Sequence, residues 1–104
     1  MAALALSWAS EDRSEGRDAV HHRTRAHHPD GRLLPLVVVN TSAGGLMARC
    51  ETRVEPGDRL RIDLPVVGAV QAEVRWALGG RIGCRFLATL GLGQYYELLA
   101  TLRR

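Results

Sequence analysis

A chain of 104 residues has room for one domain, and a core at that size calls for a compact sheet or barrel. The hydrophobic fraction of 46% and the charged fraction of 24% exclude a wholly disordered chain, and no apolar run reaches the ~20 residues that cross a bilayer. The net charge of +3 selects no partner by itself, although all 14 basic residues are arginine, the side chain best shaped for bidentate capture of phosphate.

Met1–Ala9 has the apolar character of a signal-peptide middle but no basic start, and it carries Trp8, so secretion is not expected. After Ala9 the chain turns polar and dense in charge, through residue 19, without a helical or alternating period, which predicts a mobile arm. The expected division is a flexible segment over 1–12 and a folded domain over 13–104. From Val20 the pattern VHHRTRA reads as an unusually polar strand, and Pro29, Asp30 and Gly31 supply a hairpin turn.

The β-branched run Arg32–Val39 predicts a buried strand, with Pro35 marking an edge or bulge near its start. Asn40–Gly45 reads as the following turn, and LMARCETRV, from Leu46 to Val54, as the next strand. Pro56 and Gly57 turn the chain into RLRIDL, whose strict alternation marks a half-buried strand. Beyond a loose turn at Gly68, Val70, Ala72, Val74 and Trp76 alternate inward, so Trp76 is expected to pack in the core or at its rim. Gly79-Gly80 closes a hairpin into RIGCRFL. Tyr95, Leu98, Leu99 and Leu102 have helical spacing, and Arg103 and Arg104 follow at the favourable, negative end. The whole predicts an all-β fold, a small antiparallel barrel of six to seven strands with a short C-terminal helix.

Two short patterns carry chemistry. Arg13-Ser14-Glu15-Gly16-Arg17 is an RxxxR in the polar arm, and Asn40-Thr41-Ser42-Ala43-Gly44-Gly45 is an NxSxxG at a strand end. Taken singly, the first is a solvated charged face and the second a turn. In this order, and followed by GLMARC, EPGDRLRIDLP and AEVRWALGGRIGCRF, they resemble the PilZ family over about Arg13 to Leu90. The resemblance implies a β-barrel and a non-enzymatic receptor for cyclic di-GMP in the bacterial cytoplasm. The implied ligand residues are Arg13, Arg17, Asn40, Ser42 and Gly45, with no cofactor besides that ligand.

The chemistry of these side chains suits such a ligand. A guanidinium matches phosphate oxygens or the O6/N7 edge of guanine in a bidentate way. Asn40 and Ser42 are two apart, so a strand through them would send both side chains from one face, where they could hydrogen-bond a guanine together. Gly45 permits a close backbone approach or a positive φ. The chain departs from the family pattern in having Asn40 where Asp is frequent and Asp12 where a further arginine is frequent, and in the polarity of the strand after Arg17.

Other candidates are weaker. His21, His22, His27 and His28 fall in adjacent pairs that point to opposite strand faces, with no cysteine or well-placed carboxylate beside them, so a solvent-facing hairpin is expected and no metal. Cys50 and Cys84 lie outside any CxxC pattern and read as buried free thiols. Nucleic acid is not an expected partner, since the interleaved aromatics of a single-strand binder are lacking. A receptor without an output domain must act through an unidentified protein partner or through self-association. The alternative is an interaction adaptor on the same fold that no longer binds nucleotide.

Overall fold

The computed structural model describes residues 17–103. Six strands, β1 (Asp18–His27), β2 (Leu33–Ser42), β3 (Gly45–Arg49), β4 (Arg59–Leu64), β5 (Gly68–Leu78) and β6 (Arg81–Phe86), precede one helix, α1 (Leu92–Leu102). The strands close into an antiparallel barrel in the order β1-β2-β3-β6-β5-β4.

Alternation builds the core. Leu60, Ile62 and Leu64 of β4 are buried, while Arg59 and Arg61 stay outside, and Leu34, Leu36 and Val38 do the same for β2. Leu98 and Leu102, one helical turn apart, join the barrel's core from α1. Each such side chain contributes about 1.5–3 kcal/mol when fully buried.

The polar strand β1 begins at Asp18, two residues into what reads as arm, and is stable for a topological reason. It pairs with β2 from Asp18↔Thr41 to His27↔Leu33, but with β4 only at Ala26↔Ile62 and His27↔Arg61. His22 and Thr24 therefore stand beyond the β4 seam and are only half-buried, so this stretch has no need of apolar side chains. Pro35 sits where β2 is paired with β1 alone, since the β2–β3 ladder starts at Val37↔Arg49, and a missing N–H is tolerated there.

Four expectations are corrected. The third strand ends at Arg49 instead of reaching Val54: its ladders with β2 and β6 both stop there, at Val37↔Arg49 and Arg49↔Arg81, and beyond them the Cys50 N–H donates to the Gly80 carbonyl in the β5–β6 turn at 2.8 Å. The second strand runs on through Asn40 to Ser42, leaving only Ala43 and Gly44 as the loop. Trp76 does not point inward: it is 40% exposed. The histidine hairpin is not simply solvent-facing, since carboxylates flank it. His28 Nε2 lies 3.0 Å from Asp58 Oδ2, its Nδ1 lies 3.0 Å from Asp30 Oδ1, and His27 Nε2 lies 3.4 Å from Asp63 Oδ2. No grouping of three metal-ligating side chains exists among the described residues.

Candidate functional site

Two β-bulges bring the site together. In an unbroken alternation Leu34, Leu36 and Val38 would be followed inward by Asn40 and Ser42. The pairing of β2 with β3 shifts between Val38 and Asn40, and Thr41 takes the inward position instead, 1% exposed and paired with buried Leu46. Asn40 thereby moves off the core face and is half-buried, whereas Ser42, beside the loop tip, is 5% exposed and lines the cavity described below. The second shift, between Val74 and Trp76 against β6, does the same for the indole. Trp76 then lies opposite Gly83, where a Cβ would collide with its ring.

Register places these residues in rows across four neighbouring strands. Ser42, Gly45, Arg85 and Glu73 form one row, and Asn40, Met47, Gly83 and Trp76 form the next. The two glycines are needed for contact more than for conformational freedom. A Cβ on Gly45 would run into the carbonyl oxygen of Cys84, and one on Gly83 into the indole. Above these rows opens a cavity of about 600 Å³, lined among others by Arg17, Ser42, Gly45, Arg75, Trp76 and Arg85.

Of the expected ligand residues, Arg17, Ser42 and Gly45 meet in this cavity. Asn40 is not among its lining residues and stands one step back. Its Oδ1 accepts a hydrogen bond from Arg17 Nη1 at 3.2 Å, and its Nδ2 lies 3.7 Å from Met47 Sδ. Ser42 Oγ accepts from the Gly44 N–H at 3.3 Å, steadying the loop tip. The carbonyls of Gly44 and Ala43 accept from Phe86 N and Leu90 N at 2.8 and 2.9 Å, tying the tip to the chain after β6. Arg13 lies outside the described residues.

Arg75, Trp76 and Arg85 are cavity residues that reading the sequence missed. Strict alternation puts Trp76 inside, and a bulge leaves no mark that single-sequence periodicity can detect. Cys84 also lines the cavity, but burial pushes its thiol up to about 12, and burial raises the Cys50 thiol as well. Neither is a ready thiolate nucleophile.

A PilZ domain model matches residues 11–102, almost the whole chain. The chain belongs to the PilZ domain family. Solved PilZ structures share its fold. The PilZ domain of CeSA from a cellulose-synthesizing bacterium superposes with a TM-score of 0.57 at 16% identity, covering 83% of this chain and 93% of that one. The PilZ domain of YcgR from Escherichia coli, solved with c-di-GMP, gives a TM-score of 0.55 at 16% identity, covering 84% of this chain and 87% of that one. No curated protein sequence matches the chain. PilZ domains are receptor and effector modules, and no helix among the described residues is long and apolar enough to cross a membrane.

Proposed function

We propose that this PilZ domain is a cytoplasmic receptor for cyclic di-GMP that acts by binding, without catalysis. The observation that carries this reading is the convergence of two distant sequence patterns. Arg17 from the first, and Ser42 and Gly45 from the second, line one cavity, and Arg17 hydrogen-bonds Asn40 of the second pattern. Cyclic di-GMP carries two phosphates and two guanines, and the cavity offers guanidiniums for the former and hydrogen-bonding groups for the latter.

Arg17 suits a phosphate oxygen or the Hoogsteen edge of a guanine, and Arg13, four residues earlier in the same pattern, is assigned the same kind of contact. Asn40 and Ser42, on one face of a fixed strand end, are assigned to base recognition. The Trp76 indole, exposed at the cavity wall, supplies a flat surface on which a guanine can stack. Gly45 keeps the floor low enough for the ligand to approach the backbone.

Calorimetry of the full chain with cyclic di-GMP tests this directly. Saturable binding with defined stoichiometry is expected, and weaker binding of cyclic di-AMP. Absence of heat and of any competition by cyclic di-GMP at millimolar concentration would overturn the reading in favour of a PilZ-fold adaptor. A bound state is expected to be read by a protein partner or by a second copy.

A further inference from the structure

The bulge in β5 does more than expose an indole. Glu73 pairs with Arg85 across the strands, and the extra residue, Arg75, joins them on the outer face. Arg75 Nη1 and Arg85 Nη2 each lie 3.7 Å from one atom, Glu73 Oε1. Two guanidiniums on separate strands thus converge on a single carboxylate oxygen. At that distance neither makes a hydrogen bond to it, and neither donates to any other described residue, so their donors are uncommitted. Both side chains are more than half exposed and both line the cavity, while Glu73, 25% exposed, lies behind them and does not.

Arg17 enters the same cavity from the start of β1 and bonds Asn40 on β2, and β3 lies between β2 and β6, the strand of Arg85. With neighbouring strands about 4.8 Å apart, β6 runs about 10 Å across the cavity floor from the strand to which Arg17 is bonded, and β5 with Arg75 lies one strand further along that floor. We propose that Arg75 and Arg85 form a second phosphate subsite, one that receives the phosphate of a two-phosphate ligand not held by Arg17. A phosphodiester presents two non-bridging oxygens, one for each guanidinium, and replaces the distant carboxylate oxygen with direct charge-assisted hydrogen bonds. Glu73 is a positioning residue: it holds the two side chains side by side and offsets their mutual repulsion until the anion arrives. With three guanidiniums against one carboxylate, the described part of the cavity carries net positive charge to meet a dianion.

The inference rests on the reading of this cavity as a cyclic dinucleotide site, and the test separates the two. Affinities for cyclic di-GMP and for 3′,5′-cyclic GMP, which has one phosphate, are measured by calorimetry on wild type and on the Arg75→Ala/Arg85→Ala double variant. Wild type is expected to prefer the two-phosphate ligand. The double variant is expected to lose at least tenfold for cyclic di-GMP and much less for cyclic GMP, so that the preference shrinks. Should the alanine pair fail to fold, Arg75→Gln/Arg85→Gln keeps the alkyl stems and carries the same comparison. A wild type that ignores cyclic di-GMP overturns the receptor reading and this subsite with it. A wild type that binds, with either double variant unchanged or weakened equally for both ligands, overturns the subsite alone.

Discussion

The Tyr95 hydroxyl lies 2.6 Å from Asp18 Oδ2 and 3.0 Å from the Thr41 carbonyl oxygen, sharing its proton between two acceptors on different strands. Arg103 Nη2 donates to the other oxygen of the same carboxylate at 3.2 Å. Helix α1 is thus bolted near both ends to the residue that follows Arg17, and at Tyr95 also to the strand that carries Asn40 and Ser42. Burial, reinforced by the Asp18 carboxylate, raises the Tyr95 phenol well above its ordinary range, so the group stays a donor throughout the physiological pH range.

Tyr95→Phe removes a hydrogen bond to a charged acceptor while keeping the ring. A loss of about 1.5–3 kcal/mol in urea unfolding is expected, with faster amide exchange in α1 than in β4. A variant as stable as wild type would show that the contact contributes nothing to docking the helix.

Arg17→Ala should weaken cyclic di-GMP binding by about ten- to a hundredfold, the value of one guanidinium contact to a charged group of about 1.5–3 kcal/mol. Because Arg17 is exposed and precedes β1, the urea midpoint should not move. Unchanged affinity would remove this residue from the site.

Ser42→Ala and Asn40→Ala are expected to reduce discrimination between cyclic di-GMP and cyclic di-AMP, since a site built to hydrogen-bond one base rejects another by leaving polar groups unpaired. Equal losses for both ligands would assign these side chains to the phosphates or to the fold instead.

Gly45→Ala and Gly83→Ala test the two close approaches. The first drives a methyl into the Cys84 backbone, which cannot step aside, and overpacking of that kind costs about 1–3 kcal/mol or more. The second meets a side chain at the surface, which can swing away. Gly45→Ala should therefore cost more stability, and Gly83→Ala should chiefly lower ligand affinity by displacing Trp76. The reverse ranking of unfolding midpoints would contradict this picture.

Asp58 contributes to acid sensitivity. The Glu55 backbone N–H and then the His28 side chain hold its carboxyl below the usual carboxylate range. A carboxylate with a depressed native pKa stabilises the fold above its unfolded value, and that contribution is lost as pH falls through the native one. Asp58→Ala should be less stable than wild type at neutral pH, with the gap closing below about pH 4 as wild type becomes protonated. A gap that persists undiminished at pH 2 would assign the effect to packing.

Much of this architecture was legible in residue order. RLRIDL alternates without interruption, and β4 is buried on that alternation; Gly79-Gly80 sits between β5 and β6; Tyr95, Leu98 and Leu102 pack as one helical face. Local chemistry decides such features, because turn residues and periodicity act over a few positions. RxxxR and NxSxxG also pointed to the family, although only the folded chain could show that Arg17 reaches Asn40 across 23 residues.

What the tertiary structure alone decided is which face the decisive side chains occupy. Asn40 and Trp76 both fall at positions that an unbroken period of two would send into the core, and each is turned outward by one extra residue in its strand. A bulge is specified by how two strands pair and not by either strand's own pattern, so no local signal announces it. The same holds for Arg75 and Arg85: ten residues apart in sequence, they become a pair only because the β5–β6 register sets Glu73 between them. Composition and order determined a small barrel with arginines to spare, and strand pairing decided which of them face a common cavity.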